Sequence, residues 1–224
     1  MELTSGTTAP FSFKVIGKDG EPVKAYDSLH EKGLHLIVVR RERPDRLPTP
    51  PPEKGCQRHV ERALGRGVGG RLQGFANFQP ARHAMAMPMT LAVDLMASGD
   101  FTAAALPKPA VTTTVDGYKV DLSGKVIVGG SKLTFAVTRS GKPVDLQPYL
   151  GAFGHLVAMR VGDLAYLHVH PEGTPGHEHH PPADGKNVFQ APEPTAGQYR
   201  LFLDFKTADV VRTAEFTVVA PRAK

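Results

Sequence analysis

The sequence predicts an all-β chain: two immunoglobulin-like β-sandwich modules in tandem, the first incomplete, with an irregular segment at about 41–73. Three observations carry that prediction. Short apolar runs are separated by dense turn signals, drawn from 23 glycines and 20 prolines, which is the pattern of strands joined by turns. Residues 11–16 and 133–138 alternate apolar and polar with the period of two that marks a half-buried strand. The chain also repeats itself, and self-similarity along a chain is the mark of a duplicated unit.

The repeat is legible element by element. Gly20-Glu21-Pro22-Val23 matches Gly141-Lys142-Pro143-Val144, a turn that follows the alternating strand in each copy. The apolar strand comes next: Leu34-His35-Leu36-Ile37-Val38-Val39-Arg40 matches Gly154-His155-Leu156-Val157-Ala158-Met159-Arg160. Further on, Gly74-Phe75-Ala76-Asn77-Phe78 is loosely similar to Arg200-Leu201-Phe202-Leu203-Asp204-Phe205, and 91–95 resembles 214–218. Residues 199–205 and 213–219 complete the second copy. Regular short strands with turns between them indicate a sandwich. The first module is expected over 1–96, an Ala/Pro/Thr-rich linker over 97–116, and the second module over 117–221.

The chain has 224 residues, enough for two ordinary domains that each bury a core. Its formal charge is +5, and the surplus gathers at Arg40, Arg41, Arg43, Arg46, Lys54, Arg58, Arg62, Arg66 and Arg71. No aromatic residues interleave that run and no nucleic-acid module signature accompanies it, so it reads as a solvated irregular stretch and no nucleic-acid partner is expected. The single cysteine, Cys56, allows no internal disulfide and lies in this least structured stretch, away from any frame that would orient a nucleophile. No run of 18 apolar residues is present, so no transmembrane segment is expected. Residues 1–10 carry neither a basic start nor an apolar core of a signal peptide, which by itself predicts a cytoplasmic product.

The chemically pointed residues lie at 155–171. Two apolar runs flank Gly162-Asp163, which suits a two-residue type II′ turn. In that register Val161 opposes Leu164 and the ladder runs back to His155 opposite His170. His168, two residues from His170, shares its face. Opposed residues stand about 5 Å apart, so three imidazoles would converge, a donor set for copper or zinc. The tract Gly176-His177-Glu178-His179-His180 adds a His-rich loop of the chelating kind. His83 is followed by Met85, Met87 and Met89 at alternate positions, which places three soft thioethers on one side of an extended segment and favours copper. Pro88 argues against a central strand there. His35 is the first-copy match of His155.

The segments Leu34 to Arg40, Tyr166-Leu167-His168-Val169-His170-Pro171-Glu172-Gly173 and Ala196-Gly197-Gln198-Tyr199-Arg200-Leu201-Phe202-Leu203-Asp204-Phe205 resemble exported bacterial proteins built from YtkA-like, immunoglobulin-type modules. That resemblance covers most of the chain outside 41–73. It implies an exported or lipid-anchored protein of the cell envelope, without catalytic machinery, associated with copper or other heavy metals and with other envelope proteins as partners. Two departures stand out. The exported relatives begin with a signal segment, which 1–10 does not supply. The first copy also lacks the counterpart of His-Val-His-Pro expected near 49–52, where it reads Thr49-Pro50-Pro51-Pro52. Synonymous codons for 46–62 can be chosen so that a one-base shift reads Gly-Tyr-Gln-His-Leu-His-Pro-Lys-Lys-Gly-Ala-Asn-Gly-Thr-Trp-Ser-Val. A frameshift over roughly 45–73 is therefore an expectation that the underlying DNA tests.

No Gly-x-Ser-x-Gly elbow, phosphate-binding glycine loop or HExxH helix occurs, so the expectation is a protein that is not an enzyme. The leading reading is a metal-binding protein whose ligands are His155, His168 and His170, with capture by His177, His179 and His180. The alternative is an immunoglobulin-like scaffold or interaction module with no metal.

Overall fold

The computed structural model describes residues 2–4, 13–28, 33–41, 46–47, 69–81, 87–99, 105–172, 184–191 and 195–222. The chain divides into two compact units, Met1–Ala104 and Ala105–Lys224. Among the described residues all regular structure is strand or isolated bridge.

The first unit contains β1 (Glu2–Thr4), β2 (Tyr26–Asp27), β3 (Leu34–Arg40), β4 (Arg46–Leu47), β5 (Gly70–Pro80) and β6 (Met89–Ser98). They form a sheet in the order β1-β6-β5-β3-β4, with β2 paired to the end of β5. The β1–β6 pairing is parallel and covers only Met96–Ser98 of β6; β3, β5 and β6 are antiparallel along their lengths. Alternation in β3 sends Leu34, Leu36 and Val38 to one face, where they pack with Leu72, Ala76, Phe78, Leu95, Ala97 and Val15. Burying a branched or aromatic side chain in such a cluster is worth about 1.5–3 kcal/mol.

Two expectations are corrected in this unit. The irregular segment does not extend to 73: β5 starts at Gly70, because Leu72, fully buried, continues the inward row opposite Leu95. Arg46 and Leu47 pair with Val39 and Val38. The strand expected at 11–16 is also not formed over the part described. Residues 13–16 show the anticipated burial alternation, yet make only an isolated bridge, Ile16 to Pro22. Residues 48–68, with most of the proposed frameshift, lie outside the described residues.

The second unit contains β7 (Thr112–Val115), β8 (Tyr118–Ser123), β9 (Ser131–Arg139), β10 (Lys142–Pro143), β11 (His155–Arg160), β12 (Tyr166–His168), β13 (His170–Pro171), β14 (Lys186–Ala191), β15 (Gly197–Thr207) and β16 (Val210–Ala220). One sheet runs β13-β14-β9-β8-β7 with β10 on β9; the other runs β12-β11-β15-β16. All their pairings are antiparallel. The alternate residues of each sheet interleave in one core: Tyr118, Val120, Leu133, Phe135, Val137 and Phe189 from the first, Leu156, Ala158, Leu201, Leu203, Phe205, Ala214 and Phe216 from the second. Phe135 stands edge-on to Phe189 at 5.8 Å and tilted against Phe216 at 5.4 Å, which ties the sheets at mid-core. This is a two-sheet β-sandwich. The stretch 97–116 is not plain linker, since β6 ends and β7 begins inside it.

The internal repeat holds at the level of register. Phe78 opposes Met89 as Phe205 opposes Arg212; Ala76 opposes Leu91 as Leu203 opposes Ala214; Gly74 opposes Val93 as Leu201 opposes Phe216. In the leading segment, Val23 N donates to Val15 O (2.8 Å) as Val144 N donates to Val137 O (3.2 Å). Positions in the two units can therefore be equated residue by residue.

Candidate functional site

The hairpin of β11 and β12 has the expected register but a different turn. Val157 pairs with His168, Ala158 with Leu167 and Met159 with Tyr166. The turn takes four residues rather than two: Arg160 N donates to Ala165 O at 3.0 Å, and Leu164 N donates to Arg160 O at 3.0 Å. Gly162 (φ 106°) and Leu164 (φ 57°) supply the left-handed backbone. Val161, freed from pairing across the turn, donates its N–H to Gln198 O on the other flank at 2.8 Å. Asp163 holds the loop: its carboxylate accepts from Arg160 Nε (3.0 Å) and from Ala165 N (3.2 Å). The Arg160 guanidinium brings the Asp163 carboxyl down to about 2.

The ladder does not reach His170. β12 ends at His168, and β13 begins one residue later in the other sheet, where His170 pairs with Gln190 and Pro171 with Phe189. Val169, buried in the core, is the crossing residue. An alternating strand would place Val169 in the core as well; the departure is in the pairing, which passes from β11 to β14 at this residue. His-Val-His-Pro is thus a corner, and the expected pairing of His155 with His170 is replaced. On the other flank of β11, His155 is opposite Asp204. The position of His168, across from Val157, shares a face with His155.

His155, itself buried, belongs to a polar row that sequence reasoning did not see. It runs His155–Asp204–Thr213 across β11, β15 and β16, with Thr213 Oγ1 donating to Asp204 Oδ1 at 2.6 Å. The same row occurs in the first unit as His35–Asn77–Thr90, where Asn77 Nδ2 donates to Thr90 Oγ1 at 3.0 Å. Beside it, Arg200, almost fully buried, pairs with Glu215, donates to Thr217 Oγ1 at 2.8 Å and lies over the Phe202 ring. The aligned pairs His35/His155 and Asn77/Asp204 were in the repeat; what was missing was a reason to read the strand positions facing away from the apolar core as polar rows.

Beyond the corner, Glu172 is bonded by Lys132 Nζ (2.8 Å) and by Gln190 Nε2, and these partners, Lys132 first, lower its carboxyl below the usual range. Among the described residues no group of three His, Cys, Asp or Glu side chains is placed to hold a metal ion. His83, Met85, His177, His179 and His180 lie outside the described residues. Met87 and Met89 are 75% and 42% exposed. They border a groove of about 1360 Å³ in the first unit with Val15, Ile16, Phe78 and Leu91.

This groove continues into an exposed apolar stretch of β6. Met89, Leu91 and Val93 lie on the face of β6 that carries Leu95 and Ala97 into the core, yet Leu91 and Val93 are 47% and 51% exposed. Their second-unit equivalents, Ala214 and Phe216, are each 1% exposed beneath the opposing sheet. Pro88 precedes β6 directly, and the flank of β6 away from β5 is paired, among the described residues, only at Met96–Ser98.

An all-β chain whose second unit is an immunoglobulin-like two-sheet sandwich is the class this architecture defines. Residues 113–222 match a family described as a domain of unknown function (DUF8832), so the match lies on that second unit. No curated protein matches the chain. Among solved structures it is similar to a DUF4426 family protein from Pseudomonas aeruginosa PAO1, with 9% identity, TM-score 0.38, and 50% of this chain and 98% of that one covered. It is also similar to the D00-D0 domain of intimin, with 11% identity, TM-score 0.29 and coverages of 98% and 96%. Fibronectin(III)-like modules of Clostridium thermocellum CbhA align at 9% identity, TM-score 0.26 and coverages of 99% and 89%. No helix among the described residues is long and apolar enough to cross a membrane.

Proposed function

We propose that this protein is a non-enzymatic interaction module of the cell envelope, which works by presenting sandwich surfaces to other polypeptides. The observation that carries the reading is the row Met89, Leu91 and Val93: core-side positions of β6 that stand open where their second-unit equivalents are covered. Exposed apolar rows on a folded domain mark interaction sites. The envelope setting follows the resemblance to exported YtkA-like proteins. The test is retention of envelope proteins by the immobilised full chain, compared with a Leu91→Lys/Val93→Lys variant. Equal retention by both removes the reading.

A second reading, binding of copper or zinc, is favoured by one observation. The positions of His155, His168 and Asp204 share a face of the β12-β11-β15 sheet, and imidazole with carboxylate suits either ion. Titration with Zn(II) or Cu(II) followed by calorimetry tests it: one saturable site is expected, lost in His155→Ala/His168→Ala, and identical isotherms for both proteins would dismiss it.

A further inference from the structure

At one end of the second unit three segments of chain come together. The run 105–111 enters there, held by Leu122 N donating to Val111 O (2.7 Å) and by Ala110 N donating to Thr217 O (3.1 Å). The loop 124–130 joins β8 to β9, and residues 221–222 leave β16. Ala191 opposite Ser131 and Gly197 opposite Ala220 put the ends of β14, β9, β15 and β16 at this same end.

The loop 124–130 is apolar at its tip and braced into one shape. Val126 turns into the core, while the next two residues, Ile127 and Val128, are 44% and 42% exposed. The Ser131 hydroxyl holds the Ile127 backbone from both sides, accepting from its N–H at 2.8 Å and donating to its carbonyl at 3.3 Å. At the base of the loop Gly124 has φ 98°, and a Cβ there would collide with Lys132 O. Isoleucine and valine are stiff at χ1, so the tip offers its apolar surface with little entropy left to lose. Val111 and Val219 add exposed apolar surface at this end.

The free charge at this end has one sign. Runs 105–111, 123–132 and 217–224 contain no Asp or Glu. Lys125 in the loop, Lys108 in the entering run and Arg222 in the departing one are exposed, with no carboxylate partner among the described residues. The carboxylates described at this end, Glu172 and Asp163, are taken up by Lys132 and Arg160.

We propose that this end of the second unit docks on an anionic lipid bilayer. Ile127 and Val128 enter the boundary between headgroups and acyl chains, and Lys125, Lys108 and Arg222 lie among the lipid phosphates. Surface binding of this kind adds burial of apolar side chains to attraction for anionic lipid. A two-residue apolar tip is far smaller than the roughly 800 Å² that each partner buries in a stable polypeptide interface, and its neighbouring unpaired charges are all positive. Both features suit the fluid, negatively charged face of a bilayer. The tip belongs to the second unit and the Met89, Leu91 and Val93 row to the first, so lipid docking goes beyond the interaction reading and does not depend on it.

The test is co-sedimentation of the full-length protein with vesicles of phosphatidylcholine, alone or mixed in equal parts with phosphatidylglycerol. Binding is expected with the mixture only and should weaken as salt is added. Ile127→Ser/Val128→Ser keeps every charge, so an association through the arginines of 40–71 would survive it; a loss of at least about tenfold is expected instead. Lys125→Ala should weaken binding about fivefold. Lys142→Ala, at the other end of the unit where Lys142 pairs with Arg139, should leave it unchanged. These four positions are exposed, and circular dichroism checks that each variant folds. In a Cys56→Ser background, an NBD label at Val128→Cys should shift to the blue on the mixed vesicles, and one at Lys142→Cys should not. No binding to the mixture, equal binding by the double serine variant, or no shift at Val128→Cys overturns the proposal. So does a double serine variant that binds the mixed vesicles like wild type but loses envelope proteins, which assigns the tip to a polypeptide.

Discussion

Phe216 and Val93 occupy the same place in the two units and should answer truncation very differently. Phe216 is 1% exposed and sits against Phe135 at 5.4 Å. Phe216→Ala leaves a cavity between two sheets that are held by their own ladders and cannot collapse onto it. The cost is about 3–5 kcal/mol, of which roughly 0.5–1.5 kcal/mol is the aromatic contact. That is a large share of the about 5–15 kcal/mol by which a domain is folded. Val93→Ala removes two methyl carbons, worth about 0.8 kcal/mol each when fully buried; at 51% exposure the loss is about 0.8 kcal/mol in all. The chain has no tryptophan, so the assay is amide hydrogen exchange in graded urea, resolved by peptide, which reads each unit separately. Phe216→Ala should lower the opening free energy of β9, β14, β15 and β16 together. A loss there below about 1 kcal/mol, or a loss above about 2 kcal/mol in β5 and β6 for Val93→Ala, would refute the equivalence and the account of what covers each face.

Two further outcomes follow from local geometry. Asp163 has its carboxyl pulled down to about 2 by Arg160, so its contribution is complete above the unfolded value of about 3.9 and is lost as pH falls through about 2. Because both groups are partly solvated, Asp163→Asn should cost no more than about 1 kcal/mol at pH 7, with the gap to wild type closing toward pH 2 in thermal melts; a constant gap would contradict the ion-pair origin. Gly124 has φ +98°, and a Cβ there would collide with Lys132 O, whereas at Gly117, φ +78°, nothing lies within 4 Å. Gly117→Ala should cost about 1–2 kcal/mol for its backbone alone and Gly124→Ala distinctly more, a ranking that urea midpoints check.

The strands and the duplicated frame could be read from residues because each strand half-buried on one face writes a period of two, and both copies kept it. The register of β11 with β12 was also available, since Gly162 and Asp163 locate the bend. What periodicity could not supply is where a strand leaves its sheet. His168 and His170 differ by two, which in an unbroken strand means one face; Val169 faces the core as that alternation would have it, but the ladder passes from β11 to β14 at this residue, and nothing in a three-residue window marks the change of partner. The rows His155–Asp204–Thr213 and His35–Asn77–Thr90 escaped for a related reason: each joins a hairpin to a strand more than 40 residues upstream, as His155 is from Asp204 and His35 from Asn77. Residues 11–16 mislead in the opposite sense. Their alternation reports a side-chain preference, but a strand also needs a continuous ladder with a neighbour, and over 13–16 the described residues show the Ile16–Pro22 bridge and the Val23–Val15 bond rather than a ladder.

The crossing at Val169 also has a place in how the second unit bears mechanical load. One peptide segment joins the β12-β11 hairpin to the opposite sheet, and it is anchored by three ladder pairs on one side and two on the other. Force applied at the two ends of the unit is borne first by the strands nearest them, β7 and β16, so this internal corner should hold until the β15–β16 ladder and the Ala110–Thr217 bond have parted.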